Sequence, residues 1–482
     1  MRRLDRRNFL RTSALIGSGV RSAAEAVPLT PQQPEVAQDV SWRLARYVVS
    51  ARPEDLPAAV QKEATRTLLN WVGCAVGGSR HETVDIAIRA LSPFSGPAQA
   101  TVLGRRERLD VMHAALMNGI SSHIFDFDDT HLRTIIHPAG PVASAILALA
   151  EYRPVSGLDF LNALVLGVEV ECRIGNAVYP AHYDVGWHIT GTVGPFGAAA
   201  AAGKLLNLSE QQMVWALSLA ATQPVGLREM FGTMTKSFHP GRAAQNGLTA
   251  AFLASKNYTS SNQGIEALRG WANVLSTARN YAEITEGLGA HYEISINSYK
   301  PFPCGIVIHP AIDGCIQLRN EHKLTPGQIE RVELRVHPLV LELTGKKSPQ
   351  TGLEGKFSVY HAVAAAIVDG VVGEKQFSDR AVRDPEVVAL RERIVATVDR
   401  SIAEDQVRIV ITLRDRSRME KYVEHATGSA KNPMTDAQLE AKFAGLAEGV
   451  LPPDRTRRAM DLCWKVANLR KVAELARTCT SA

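Results

Sequence analysis

Within twelve residues, from Asp126 to His137, the chain carries Asp126, Asp128, Asp129, Thr130, His131 and His137. Three carboxylates, a hydroxyl and two imidazoles in so short a span can bind a cation or move protons. The flanking stretches 114–120 and 142–150 are small and apolar and read as buried helix, so the polar cluster is expected to face an internal cleft. As a cation site, Asp126, Asp128, Asp129 and His131 offer oxygen and imidazole ligands. The same residue types also cap helices and order loops, and no other acid or histidine group completes an obvious ligand set, so no metal is expected. As a catalytic site, His137 would be a general acid or base, with one aspartate fixing its tautomer.

Four other clusters could join it. His188 lies in Gly186-Trp187-His188-Ile189-Thr190-Gly191, among small residues that let a ligand approach closely, although a histidine so placed is more often a satisfied core residue. Lys236-Ser237-Phe238-His239-Pro240-Gly241-Arg242 gathers potential cations after an apolar helix. Lys300 is held between aromatics and prolines in Tyr299-Lys300-Pro301-Phe302-Pro303, a rigid setting that suits either a carboxylate anchor or a plain linker. Gly352 to Tyr360 ends in a phenol that can donate a proton or simply sit in a helix with a satisfied hydroxyl. No glycine-rich phosphate loop, Ser-His-Asp pattern or dinucleotide fingerprint competes with this inventory. Lysines and imidazoles around one acidic group suit a small di- or tricarboxylate, since proton loss beside a carboxylate creates a dianion that preorganised cationic donors stabilise.

The elements that must position these residues fall into two types. From about Ser41 to Leu275 the apolar spacing is helical: Val60, Ala64, Leu68 and Val72 recur at three to four residues, and the small-residue runs 198–203 and 216–221 suit helices packed on all sides. After Pro301 the period changes to two at Val332, Leu334 and Val336 and again at Val407, Ile409, Ile411 and Leu413, with a turn at 414–417. Helical patterns at 309–318 and 358–371 accompany these strands. Thr435 and Gln438 form a capping-box pattern ahead of a last helical region. The expected fold is therefore mainly α: a large helical domain at 41–275, a smaller α+β lid domain at 276–425, and C-terminal helices at 426–482 returning to the first domain.

With 482 residues the chain is long enough for more than one core. Its 54 basic and 49 acidic residues are scattered, which gives nucleic-acid binding no support. Residues 1–26 read as a twin-arginine export signal: Arg6-Arg7-Asn8-Phe9-Leu10, a short apolar run, and Ala24-Glu25-Ala26 as the cleavage site, with 27–40 as linker. This implies a periplasmic location and only transient membrane contact. Converting Arg6 and Arg7 to Lys is expected to hold the precursor in the cytoplasm, and normal periplasmic accumulation of that variant would refute the signal. The six cysteines show neither a zinc pattern nor a disulfide framework.

The segments 126–138, 236–241, 300–304 and 352–360 resemble, in order and approximate spacing, those of the MmgE/PrpD family. That family includes 2-methylcitrate dehydratase, cis-aconitate decarboxylase and iminodisuccinate epimerase, and the resemblance covers roughly 41–454. It implies a homodimer with a cofactor-free site between the two domains, lined by Asp126, Thr130, His137, His188, Lys236, Lys300 and Tyr360. On this basis His137 is expected as acid/base, Tyr360 as second proton donor, His188 as a further catalytic residue, and Asp126 as orienter of a neighbouring donor. Lys236 and Lys300 would clamp carboxylates, and Thr130 would contact substrate. The expected reaction is dehydration of a 2-methylcitrate-like hydroxy polycarboxylate. Cis-aconitate-type decarboxylation, epimerisation of a small dicarboxylate, and a non-catalytic periplasmic carboxylate-binding protein are the alternatives.

Overall fold

A computed structural model describes residues 39–481. The expected export signal, and the linker up to residue 38, lie outside the described residues.

Small residues set the architecture of the first core. Helices α1 (Ala58–Gly78), α2 (Val111–His123), α3 (Ala139–Tyr152), α4 (Gly157–Val178), α5 (Ile189–Leu205), α6 (Glu210–Ala221) and α7 (Thr235–Ser255) pack against one another. Along α5 nearly every residue is buried, because its Gly and Ala side chains admit neighbours on all faces. Asp110 caps α2 by accepting from the amides of Met112 and His113. None of the helices among the described residues is long and apolar enough to cross a membrane.

One crossing matters for the site. Gly119 of α2 meets Gly241 of α7 so closely that a Cβ on Gly119 would lie 2.4 Å from the Gly241 Cα, and one on Gly241 would lie 2.4 Å from the Leu116 carbonyl oxygen. These glycines bring the start of α7 against the end of α2. Gly241→Ala should force the two backbones apart at an overpacking cost of about 1–3 kcal/mol. It should lower the melting temperature and, by displacing the first turn of α7, the turnover rate; an unchanged melting curve would contradict this close packing.

A second core begins at Cys304 and ends at Ala426. Its sheet has the order β4-β3-β5-β6, built from β3 (Ile329–Val336), β4 (Ile394–Val398), β5 (Val407–Leu413) and β6 (Arg418–Val423). β3 runs parallel to β4 and antiparallel to β5, and β5 pairs antiparallel with β6 across the turn at 414–417. Helices α8 (His309–His322) and α9 (Val359–Asp369) cover it. The fold is thus mainly α with an α+β second part.

The chain re-enters the first core at Met434. Helix α10 (Asp436–Ala447), capped by the Thr435–Gln438 box, lays Phe443 and Leu446 against Gly73 and Gly77 of α1. The expected boundary at 275/276 needs correction. Ile284, Ile294 and Tyr299 belong to the first core, so the crossing lies near Lys300. The cause is a short antiparallel ribbon in which β1 (Asp129–His131) pairs with β2 (Asn297–Tyr299), Thr130 opposite Ser298. Such pairing between segments so distant in sequence leaves no periodic trace in either.

Candidate active site

The end of α2 and the loop after it carry the site. His123 is the last helical residue, and Asp126 follows in the left-handed region at φ 52°, a conformation that Asp tolerates better than most residues. There the buried Asp126 carboxylate meets two buried lysines: its Oδ1 accepts from Lys236 Nζ at 2.7 Å and from Lys300 Nζ at 2.8 Å. Lys236 comes from the first turn of α7, and Lys300 from the residue after β2. Despite burial, the two ammonium groups hold the Asp126 carboxyl well below its ordinary value.

A chain of polar contacts continues from Lys236. Its ammonium lies 2.9 Å from His123 Nε2, and His123 Nδ1 lies 2.6 Å from Asp128 Oδ2. His123 therefore donates to the carboxylate from Nδ1 and accepts from the ammonium at Nε2. Lys236 is also 5.4 Å from the ring centres of Phe231 and Phe357, which stack on each other. Lys442 of α10 fastens the two loops together, donating to the carbonyls of Phe127 and Lys300 and to Asn70 Oδ1.

The His137 ring is held in one tautomer. Its Nδ1 lies 2.7 Å from the Asp129 carbonyl oxygen, which can only accept, so Nδ1 carries the proton and Nε2 keeps its lone pair. Burial, with Lys300 and His123 nearby, pushes the imidazole down to about 3 against the pull of Asp128. The backbone amide of His137 donates to Thr190 Oγ1 at 3.0 Å. Asp129 serves structure: its Oδ2 accepts from Asn297 Nδ2 and the Ala139 amide, and burial beside Asp128 raises its carboxyl to about 7.

Asp126, His137, His188, Lys236 and Lys300 line one cavity of about 30 Å³, closed on its apolar side by Phe231 and Phe357. Its wall thus presents two ammonium groups against one carboxylate, beside imidazoles that burial keeps neutral. His188 Nδ1 lies 2.8 Å from His239 Nδ1, so one ring donates and the other accepts. His123, His137 and His188 place one ligand atom each within 4.8 Å of one another. A divalent ion there would have to displace Lys236 from His123 beside a second ammonium, so this donor set fits an anion better than a metal.

Other expected residues sit elsewhere. Tyr360, expected as a second proton donor, stands at the start of α9, packs in the second core and is not among the residues lining this cavity, and burial raises its phenol pKa. Thr130 does not line the small cavity either; its Oγ1 lies 3.3 Å from His137 Nδ1, which positions the imidazole. His131 turns away, with Nδ1 on Thr134 and Nε2 on Glu293. His123 escaped the sequence reading, although its place three residues before Asp126 on a helix end was a usable signal. All six cysteines are buried and free.

The buried histidines give the fold a pH dependence of definite sign. His137, His182, His188, His239, His309 and His361 all have pKa values lowered by burial. The unfolded chain therefore binds protons below the ordinary histidine pKa that the folded chain refuses, and stability falls as pH drops from about 6.5. Asp129 and Glu169, both raised to about 7, act in the opposite sense together with Glu171, Glu374 and Glu404, but are fewer. Melting temperatures should decline from near neutrality toward pH 5, well above the carboxylate range; a plateau down to pH 5 would contradict the neutral-histidine cluster.

Comparison with known proteins is consistent across the chain. Residues 42–284 match the MmgE/PrpD N-terminal domain, and residues 302–466 match the MmgE/PrpD C-terminal domain. The cis-aconitate decarboxylase-like protein oryM of Aspergillus oryzae is 28% identical over 91% of this chain and 96% of its own. Human cis-aconitate decarboxylase is 28% identical over 86% of this chain and 89% of its own. The 2-methylcitrate dehydratase of Salmonella typhimurium is 22% identical over 84% of this chain and 89% of its own.

Proposed function

This chain belongs to the MmgE/PrpD family, whose two domains it matches in order, and from that footing we propose that it is a lyase releasing carbon dioxide from a cis-aconitate-like tricarboxylate. The observation that carries the reading is the pair of buried ammonium groups, Lys236 and Lys300, beside the neutral His137. Decarboxylation breaks a C–C bond to one carboxylate. The released electron pair forms a new alkene, and the original alkene's pair takes a proton at carbon. Lys236 and Lys300 hold the remaining carboxylates and neutralise the charge that passes through them. His137 supplies the proton: a bound polyanion favours the imidazolium that burial disfavours in the free protein. The more similar of the relatives named above, which are decarboxylases or decarboxylase-like, support this reading over the dehydration expected from sequence.

Dehydration of a 2-methylcitrate-like hydroxy acid remains a second reading, favoured by Asp126. This cavity-lining carboxylate leaves Oδ2 without a protein hydrogen-bond partner, an acceptor suited to a substrate hydroxyl. In that case His137 Nε2 removes the proton next to the carboxylate, the C–H electron pair forms the alkene, and the hydroxyl on the neighbouring carbon leaves as water with a proton from the Lys236 or Lys300 ammonium. Incubation with cis-aconitate and with 2-methylcitrate separates the two: carbon dioxide from the first supports decarboxylation, whereas an alkene acid from the second, with no gas from the first, overturns it.

A further inference from the structure

The catalytic cavity, at about 30 Å³, is walled by the charged and imidazole groups of Asp126, Lys236, Lys300, His137 and His188. Against it lies a second cavity of about 250 Å³. The two share Ile135, Ile306 and Val307, which form the partition between them. Ile135 holds φ 61°, a left-handed conformation that is unusual for a β-branched residue and is kept only where the surroundings enforce it.

The second cavity differs in character. Beyond the shared partition its apolar wall includes Leu132, Pro310 and Ala426. The histidines in its wall have partners already: both His131 ring nitrogens are bonded, and His309 Nε2 donates to the Cys304 carbonyl. Its acids are Glu404 and Asp405, and among the described residues no lysine or arginine lines it. A carboxylate placed there would meet acidic groups and no ammonium, whereas an alkyl group would bury apolar surface at no electrostatic cost.

Resting on the polycarboxylate-lyase reading, we propose that the second cavity is the subsite for an uncharged alkyl substituent of the substrate, with Ile135, Ile306 and Val307 forming the throat that separates it from the reacting carboxylates. The preferred substrate is then a tricarboxylate bearing a short alkyl chain, and Ile135 is a specificity-determining residue.

Propane-1,2,3-tricarboxylates carrying no substituent, methyl, propyl or pentyl at carbon 1, the position that an aconitate- or citrate-like acid leaves free for an alkyl chain, have no alkene or hydroxyl to react, so calorimetric titration of the full chain with this series reads binding apart from turnover. Affinity is expected to rise by up to about fourfold per methylene until the cavity is filled. Ala426→Phe, which fills the cavity, should abolish that rise. Leu132→Trp, at a half-exposed wall position, serves the same purpose should the buried Ala426→Phe substitution prevent folding. Affinity that is flat or falling with chain length, while the unsubstituted acid binds, overturns the subsite alone, as does a rise that persists in the filled variants. Failure of every member to bind overturns the polycarboxylate reading as well.

Discussion

Replacing His137 by Gln is expected to lower kcat/KM by two to four orders of magnitude, the range in which a positioned general acid or base contributes. Gln is the informative substitution because its side-chain amide can still donate to the Asp129 carbonyl, the bond that orients the native ring at 2.7 Å. What it cannot do is carry a proton to or from carbon. The loss should fall mainly on kcat, since on the proposed reading the charged contacts to substrate come from Lys236 and Lys300. Because the imidazole is held near 3 in the free protein, the kcat/KM profile of the native enzyme should show no acid limb near the ordinary histidine value. A variant within tenfold of native activity would remove His137 from the mechanism.

Asp126→Asn should produce the largest loss of stability among the site substitutions. The carboxylate is the shared partner of two buried ammonium groups, and removing one member of a buried charge pair costs about 3–5 kcal/mol, because the other is left uncompensated. Asn accepts the left-handed backbone of position 126 about as well as Asp, so strain does not confound the result. Burial already lowers the Lys236 pKa, and loss of Asp126 lowers it further. The unfolded chain then binds more protons than the folded one, so the deficit should shrink as pH rises toward the lysine range. Adding Lys300→Met to Asp126→Asn should recover part of the lost thermal stability. If the double variant melts below the single one, the two residues do not act as a charge pair.

The site was partly legible in sequence because several of its polar residues are expensive to bury and stood out against apolar flanks. Asp126, His137, His188, Lys236 and Lys300 were found this way and through the family resemblance, and they line one cavity. Tyr360 does not line that cavity, for a reason that a linear reading cannot see. Helix α9 starts one residue earlier, at Val359, and the direction in which it leaves that point buries the ring in the second core. The contact of Thr130 with His137 was not legible, because it depends on the loop folding the hydroxyl toward the ring. His123 was missed because a histidine on an apolar helix reads as core until Lys236 is known to reach it.

By itself the sequence determined the elements: periods of 3.6 and 2, capping boxes and small-residue runs are local properties, and they fix helices, strands and the mainly α class before any long-range contact forms. It also determined the chemical inventory. Only the tertiary structure decided which charges share an atom. Lys236 and Lys300 meet on Asp126 Oδ1 because Gly119 and Gly241 allow two helices to touch and because β1 pairs with β2, contacts whose free energy depends on packing between distant segments. The same packing decided that a second, apolar space lies beyond Ile135, since a cavity is made by what surrounds it and has no residue of its own in the chain.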